Sequence, residues 1–472
     1  MTTTSLSKSR YLAGRQCDKR LWLGAHRPEL AGEPGGTRLS IIEMGIEVGR
    51  AAHALFPGGV LVDATWRDHA AAVAQTQPLL NDESVAALFE AAFEHDGVRI
   101  RADVLERLAP GRFGLREVKA STRSKDVHVF DLAIQLWVLR GVGLEVSSTE
   151  LVQIDKTYVR SASEIDWTRY FKRSDLTEEV EEVLGVVSSD VLAMRRLLEQ
   201  PDAPTIEPGP HCHKPFSCEF WDHCTSARSA EWFVQRKSAK TETKARWLEA
   251  TSSGRPWVSE RLATALAPAE SPVWYLDFEA LSPALPLYPG TRPFEALAFQ
   301  WSLHRLDADG QIQHQEFLAK GDDDPRLETS ETLLAALSGD DMRVVVYSNF
   351  ESRMLKDMAH HNPARASELE KLKARLFDLL RLVRTHVYHP DFAGSFSIKK
   401  VAPALAPHVR YDDLGDVAEG TAAASAFARI AAGSIDEADE ERLRKALLAY
   451  CERDTFALME VHRALRKLAA PE

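Results

Sequence analysis

Two α/β domains are what this sequence predicts, and three observations predict them: a β-hairpin turning at Pro110-Gly111, a meander of alternating strands that begins at Trp274, and helical periodicity following each. The hairpin arms are Val98-Arg-Ile-Arg-Ala-Asp103-Val-Leu-Glu-Arg107 and Arg112-Phe-Gly-Leu-Arg-Glu117-Val-Lys119-Ala120. Both alternate apolar with polar residues, and a Pro-Gly pair joins them. Asp103 lies on the first arm, while Glu117 and Lys119, two apart on the second, share one face. Carboxylates that converge across a hairpin make a hard-oxygen site for Mg²⁺ or Mn²⁺, and an ammonium beside them can steady an attacking water or a developing anion. The structural alternative is a salt-bridged hairpin face.

The remaining elements follow in order. Ser9–Leu23 reads as a helix carrying Cys17, and residues 44–53 as a helix bearing His53. Val60–Asp63 reads as a strand, Arg67–Gln77 as a helix stopped by Pro78, and Ala87–His95 as a third partner of the hairpin. Val127–Leu139 is helical, Leu151–Tyr158 a strand, and Thr177–Glu199 a long amphipathic helix. A proline-rich run, 201–210, leads into Cys212, Cys218 and Cys224. The expected divisions are residues 1–228, a helical linker over 229–270, and 271–472.

Composition narrows the function. A formal net charge of −12 argues against a generally nucleic-acid-coating protein but leaves room for a basic groove, since basic residues concentrate at 15–20, 99–125 and 371–384. No apolar run approaches a membrane span, and the first ten residues lack a signal-peptide core, so a cytoplasmic protein with no membrane partner is expected. No Gly-x-x-x-x-Gly-Lys-[Ser/Thr] occurs, so a motor such as a helicase would be a separate partner. Three equally spaced cysteines in such a chain point to a metal or cluster that needs a fourth ligand.

Asp103 followed one strand later by Glu117-x-Lys119 resembles the PD-(D/E)xK nuclease core in its RecB-like branch, with Ala102 at the motif's variable proline. The helix Phe130–Leu139 resembles that branch's glutamine-bearing helix through Gln135; Leu139 stands where an aromatic is usual, with Trp137 nearby. The segment ending in His53 resembles the helix whose histidine joins the metal site. The resemblance implies a restriction-endonuclease-like core with Asp103, Glu117 and His53 as metal ligands and Lys119 and Gln135 as catalytic groups. It further implies that Cys17, Cys212, Cys218 and Cys224 hold a [4Fe–4S] cluster as a clasp, as in CRISPR-associated and AddB-like nucleases. No Cys-x-x-Cys pair is present, and Zn²⁺ with His211, His213 or His223 is the alternative.

In the second half, Asp277-x-Glu279 opens a strand, Glu351 follows a later one (Met342–Ser348), and Tyr450 and Asp454 stand four apart on a closing helix. This order resembles the DnaQ-like DEDD exonucleases of the RNase H-like fold, with Glu351 where aspartate is usual. It implies that Asp277, Glu279, Glu351 and Asp454 bind metal and that Tyr450 orients water. Residues Phe299–His304 resemble a signature of bacterial proteins that join two such domains. The expected function is a divalent-metal-dependent nuclease, an exonuclease acting on DNA single strands or ends in repair or phage defence. RNA is the alternative substrate. The rival readings are one catalytic domain beside a nucleic-acid clamp, with the second domain the expected clamp, and a non-catalytic binding subunit of a repair or defence complex.

Overall fold

The computed structural model describes residues 5–65, 67–162, 164–229, 231–233, 241–415, 417 and 419–470. The protein is mixed α/β and falls into two compact units. One comprises Met1–Ala227 with Ala284–Pro286 and Gly290–Pro293; the other comprises Arg228–Pro283, Leu287–Pro289 and Phe294–Glu472. Among the described residues, no helix is long and apolar enough to cross a membrane.

The first unit is built on a sheet of β1 (Leu6–Ser7), β2 (Gly59–Leu61), β3 (Ala87–His95), β4 (Val98–Ala109), β5 (Arg112–Lys119), β6 (Glu145–Ile154) and β7 (Phe171–Asp175). Strands β2 to β7 lie in sequence order, and β1 pairs β4 in parallel through Leu6↔Val98. The hairpin β4–β5 forms as expected about Pro110-Gly111, where Gly111 has φ +69°. Besides a single turn at Trp167–Tyr170, its described α-helices are α1 (Lys8–Gln16), α2 (Asp18–His26), α3 (Gly36–Ala52), α4 (His69–Asn81), α5 (Asp126–Gly141), α6 (Thr177–Leu198) and α7 (Trp221–Thr225). Leu132, Leu136 and Leu139 of α5 share a core with Val187 and Val191 of α6 and Leu105 and Leu115 of the sheet. This places one end of α5 over the Asp103 side of the hairpin.

Three local expectations are corrected. Cys17 does not ride inside a helix: it breaks α1 from α2 with extended backbone, φ −166°. Pro78 does not stop its helix, because α4 continues to Asn81 around it. His53 stands just past α3, in a 3₁₀ turn spanning His53–Leu55.

The second unit contains the sheet order β11–β10–β9–β12–β13, made of β9 (Val273–Leu281), β10 (Leu297–Leu306), β11 (Ile312–Leu318), β12 (Val344–Val346) and β13 (Leu376–Asp378). Strands β9, β10 and β11 are antiparallel, whereas β12 is parallel to both of its neighbours. A short ribbon pairs β8 (Trp257–Val258) with β14 (Val387–Tyr388). The stretch expected as a linker contains helix α8 (Thr241–Ser253), whose Trp247 is buried in this unit's core beside Tyr388. Residues 230 and 234–240 of that stretch lie outside the described residues. The helices that matter below are α9 (Phe350–His361), α10 (Ile398–Leu405), α11 (Gly420–Ala431) and α12 (Glu437–Ala469).

Helix α12 covers one face of β9 and β10. Alternate residues of those strands reach it: Gln300 donates to the Leu447 carbonyl at 2.8 Å, Ser302 contacts Thr455 at 2.7 Å, and Tyr275 contacts His462 at 2.9 Å. The two-residue period of a strand therefore aligns every polar residue of 275–279 and 300–304 against one helix.

Candidate metal centres

In the first unit the hairpin brings Asp103 and Glu117 together. The Asp103 carboxylate accepts the Val118 backbone N–H at 2.8 Å, which fixes it against the neighbouring strand. Glu117 is fully buried and accepts the Gln135 amide at 2.7 Å; it also pairs with Lys119. Asp103, Glu117, Lys119 and Gln135 thus meet around one point.

Three further groups join them that sequence reasoning missed. Lys8, delivered by the two-residue pairing of β1 with β4, places its Nζ 3.0 Å from Glu117, 3.4 Å from Asp131 and 3.9 Å from Asp103. Asp131, one turn before Gln135 on α5, binds Lys119 at 2.8 Å. Its signal was available, since residues four apart share a helix face. Glu90 occupies the position across from Asp103, between the register pairs Phe89↔Val104 and Ala91↔Ala102. Its φ of +56° is a left-handed conformation rare for a side-chain-bearing residue, and no sequence pattern announces it.

The charges of this cluster offset one another. Burial pushes Asp103 up to about 7, with Glu117 adding to the rise. Burial would push Glu117 up too, but Lys119 and Lys8 outweigh it and hold Glu117 well below the usual carboxylate range. Burial pulls both lysines down, and the surrounding carboxylates more than reverse that. The net arrangement is a carboxylate site whose charge is already met by two ammonium groups.

His53 is not brought into that set. Its ring stacks on Phe89 with centroids 3.8 Å apart, and burial, then Arg50, lowers its pKa. Among the described residues, no compact group of three candidate ligand atoms contains His53, Asp103 or Glu117.

The four cysteines of the expected clasp line one small cavity together with His211, Lys19 and Arg20. Gln16 of α1 donates to the carbonyls of His211 and Phe216, both at 2.7 Å, and Arg20 pairs with Glu219 at 2.8 Å. Residues near the two ends of this unit are therefore pinned together about the thiols. All four are free cysteines, and burial is the main cause that raises Cys218 to about 11. Among the described residues, no three of these thiols lie within 4.8 Å of one another.

In the second unit Asp277, Glu279 and Cys451 offer ligand atoms within 4.8 Å of one another. Asp277 and Glu279 come from one face of β9, and Cys451 from α12, its Sγ 3.7 Å from Asp277 Oδ2. Asp454, one turn along α12 from Tyr450, adds its charge to both strand carboxylates, as does Glu351 in the first turn of α9. Asp454 and Glu351 thus act on the strand pair electrostatically, but among the described residues neither joins the 4.8 Å group. Burial pushes Asp277 far above its ordinary value, and the other three carboxylates push it further. Glu279 and Glu351 rise to about 8, burial being the chief cause for each. Arg353 tempers the rise of Glu351, and among the described residues the buried Glu351 Oε2 has no hydrogen-bond partner.

Sequence reasoning missed Tyr411 and Lys399 at this site. The Tyr411 hydroxyl donates to Asp454 at 2.7 Å, with Tyr450 a second hydroxyl neighbour. The Lys399 ammonium lies 4.8 Å from the Tyr450 ring centroid and draws down the pKa of Glu279 and Asp454. Both come from segments with no strand alternation. An open depression lined by His408, Arg410, Glu452 and Arg453 flanks Tyr411 and Asp454 in sequence.

A family model described as Domain of unknown function (DUF2779) matches residues 274–397, which include Asp277, Glu279 and Glu351. No curated protein matches the chain.

Proposed function

We propose that the protein is a divalent-metal-dependent nuclease whose principal centre is Asp277, Glu279, Glu351 and Asp454. One observation carries this reading: Asp277, Glu279, Glu351 and Asp454 are buried carboxylates whose pKa values are all raised despite Lys399 and Arg353 nearby, and among the described residues Glu351 Oε2 has no hydrogen-bond partner. Buried like charges are costly unless protonated or met by a counter-ion. The donor set is all oxygen apart from the neighbouring Cys451 thiol, which suits Mg²⁺ or Mn²⁺. Such an ion, held by these four residues, supplies charge stabilisation for a phosphodiester and lowers the pKa of water. Tyr450 and Tyr411 hold the Asp454 carboxylate in place, and the depression that flanks them in sequence carries Arg410 and Arg453, each paired with an aspartate, Asp412 and Asp413. Three antiparallel strands followed by two parallel ones, closed by a long helix, support the RNase H-like reading of this unit.

The first unit supports a RecB-like reading through Asp103, Glu117, Lys119 and Gln135, with Asp131 added. Its charge balance favours a second version of the proposal, in which this unit grips DNA and the other cuts. That reverses the ranking expected from Glu351 alone. For the cysteine cavity we propose a [4Fe–4S] cluster bound by Cys17, Cys212, Cys218 and Cys224. The thiols share a cavity, yet among the described residues no three of them lie within 4.8 Å of one another, whereas the sulfurs of a tetrathiolate zinc site with Zn–S near 2.3 Å stand ~3.8 Å apart. Anaerobically purified protein is expected to be brown and to contain iron; colourless protein holding zinc instead would reject the cluster.

The test of activity uses labelled single-stranded DNA, duplex DNA and RNA with Mg²⁺ or Mn²⁺. Asp277→Ala and Asp103→Ala are compared singly and together with the parent. Cleavage of DNA that survives in the double variant at the parental rate would reject the proposal.

A further inference from the structure

The polar residues of Phe299–His304 are only partly explained by the acidic centre. Gln300 is spent on the α12 backbone, but Ser302 and His304 point to a different cluster. His304 on β10 and His314 on β11 are direct cross-strand partners, with ring centroids 4.5 Å apart. Glu452 of α12 completes a set whose ligand atoms all lie within 4.8 Å of one another, with Glu452 Oε1 3.9 Å from His314 Nδ1.

The second nitrogen of each ring is already committed. His304 Nδ1 bonds the Thr455 hydroxyl at 2.8 Å, and His314 Nε2 bonds the Ser302 hydroxyl at 3.0 Å. Those hydroxyls bond each other at 2.7 Å, so one buried pair orients both rings. Metal-binding histidines are held this way, with the non-ligating nitrogen tied to an outer partner. His314 Nδ1 is thereby left facing Glu452, and His304 Nε2 is left uncommitted by the hydroxyl pair.

We propose that His304, His314 and Glu452 form a second, separate metal site in this unit that binds a zinc-class ion. Two imidazoles and one carboxylate suit Zn²⁺ better than Mg²⁺, which prefers an all-oxygen shell. Tetrahedral ligands about 2 Å from zinc stand ~3.3 Å apart, so the cluster needs only to contract slightly around the ion. Glu452 is half exposed and lines the open depression, which gives the ion a path in. The bound ion would tie edge strand β11 to β10 and to α12. Glu316, two residues from His314 on the same face of β11, feels both His314 and Glu452.

The experiment titrates chelator-stripped full-length protein with Zn²⁺ against a chromogenic competitor, for the parent, His314→Ala and Glu452→Gln. The parent is expected to bind one zinc more than His314→Ala at the same free zinc. Glu452→Gln is expected to weaken that one site by at least about tenfold, the scale on which even outer-shell losses act. Zinc taken up by the cysteines or by the buried acids is common to all three proteins and cancels in the difference. Identical titrations of the parent and Glu452→Gln, whose exposed side chain tolerates replacement, would overturn the proposal. A simple buried histidine pair would give that result.

Discussion

The two acidic clusters solve the same problem in opposite ways. In the first unit Glu117 lies between Lys8 and Lys119, and its pKa is depressed, although burial raises its neighbour Asp103 to about 7. In the second, Asp277, Glu279, Glu351 and Asp454 crowd together, and every one of their pKa values is raised. One cluster carries its counter-ions as covalent parts of the chain. The other has only Lys399 and Arg353 to temper it, and burial still raises all four of its carboxylates. Similar carboxylate counts can therefore mark a self-contained ionic core or a site that demands a ligand, and the neighbouring lysines decide which.

The largest effect that tests this contrast is on cleavage. Asp277→Ala is expected to lower Mn²⁺-dependent DNA cleavage on the order of 10²–10³-fold, the scale of losing one preorganised electrostatic contact. Asp103→Ala is expected to lower it much less. Equal losses measured in parallel time courses would break the comparison. Next comes Lys8→Met, which strips one counter-ion from Glu117, Asp103 and Asp131. Breaking a buried ion pair costs about 3–5 kcal/mol, and the partial exposure of Lys8 makes that an upper bound. Urea unfolding would read the loss, and added Mn²⁺ is expected to recover more of it than it adds to the parent.

Stability against pH sharpens the contrast further. Glu279 and Glu351 titrate near 4.5 unfolded and near 8 folded, so the folded chain holds more protons between those values. Their contribution without metal is thus greatest below about 4.5 and falls as pH rises toward 8. Glu117 runs the other way: its contribution is present above 4.5 and is lost as pH falls. Urea unfolding in chelator from pH 5 to pH 8 is expected to show the decline, with Glu279→Gln flattening it; an unchanged slope in that variant would remove the second cluster as its source. The smallest effect is expected from Tyr411→Phe. It removes one hydroxyl from Asp454, raising that carboxylate's pKa and weakening Mn²⁺ binding a few-fold by calorimetric titration.

How much of this was legible follows from the range of each signal. Asp103, Glu117, Asp277 and Glu279 sit on strands, where a period of two states which residues share a face, so their convergence could be read. Tyr450 and Asp454 were equally open, four apart on one helix. Lys8 was not: the strand that delivers it is two residues long and pairs in parallel with a partner some ninety residues away. Glu90 depends on a backbone angle that its residue type does not advertise. Tyr411 and Lys399 arrive from a loop and a short helix whose placement is set by packing alone. Pro78 misled because proline usually ends a helix, yet α4 accommodates it one turn from its end.

Helix α12 runs for 33 residues and presents Tyr450, Cys451, Asp454, Thr455 and His462 in sequence along its inner side. It acts as a single ruler for everything it touches. One residue inserted ahead of Leu447 would swing all downstream side chains by about 100°, since each residue turns the helix by that angle. Acidic ligands, tyrosine and imidazole partners would then lose their bearings in one stroke. The chain can vary its loops freely, but the spacing along this rod is not negotiable.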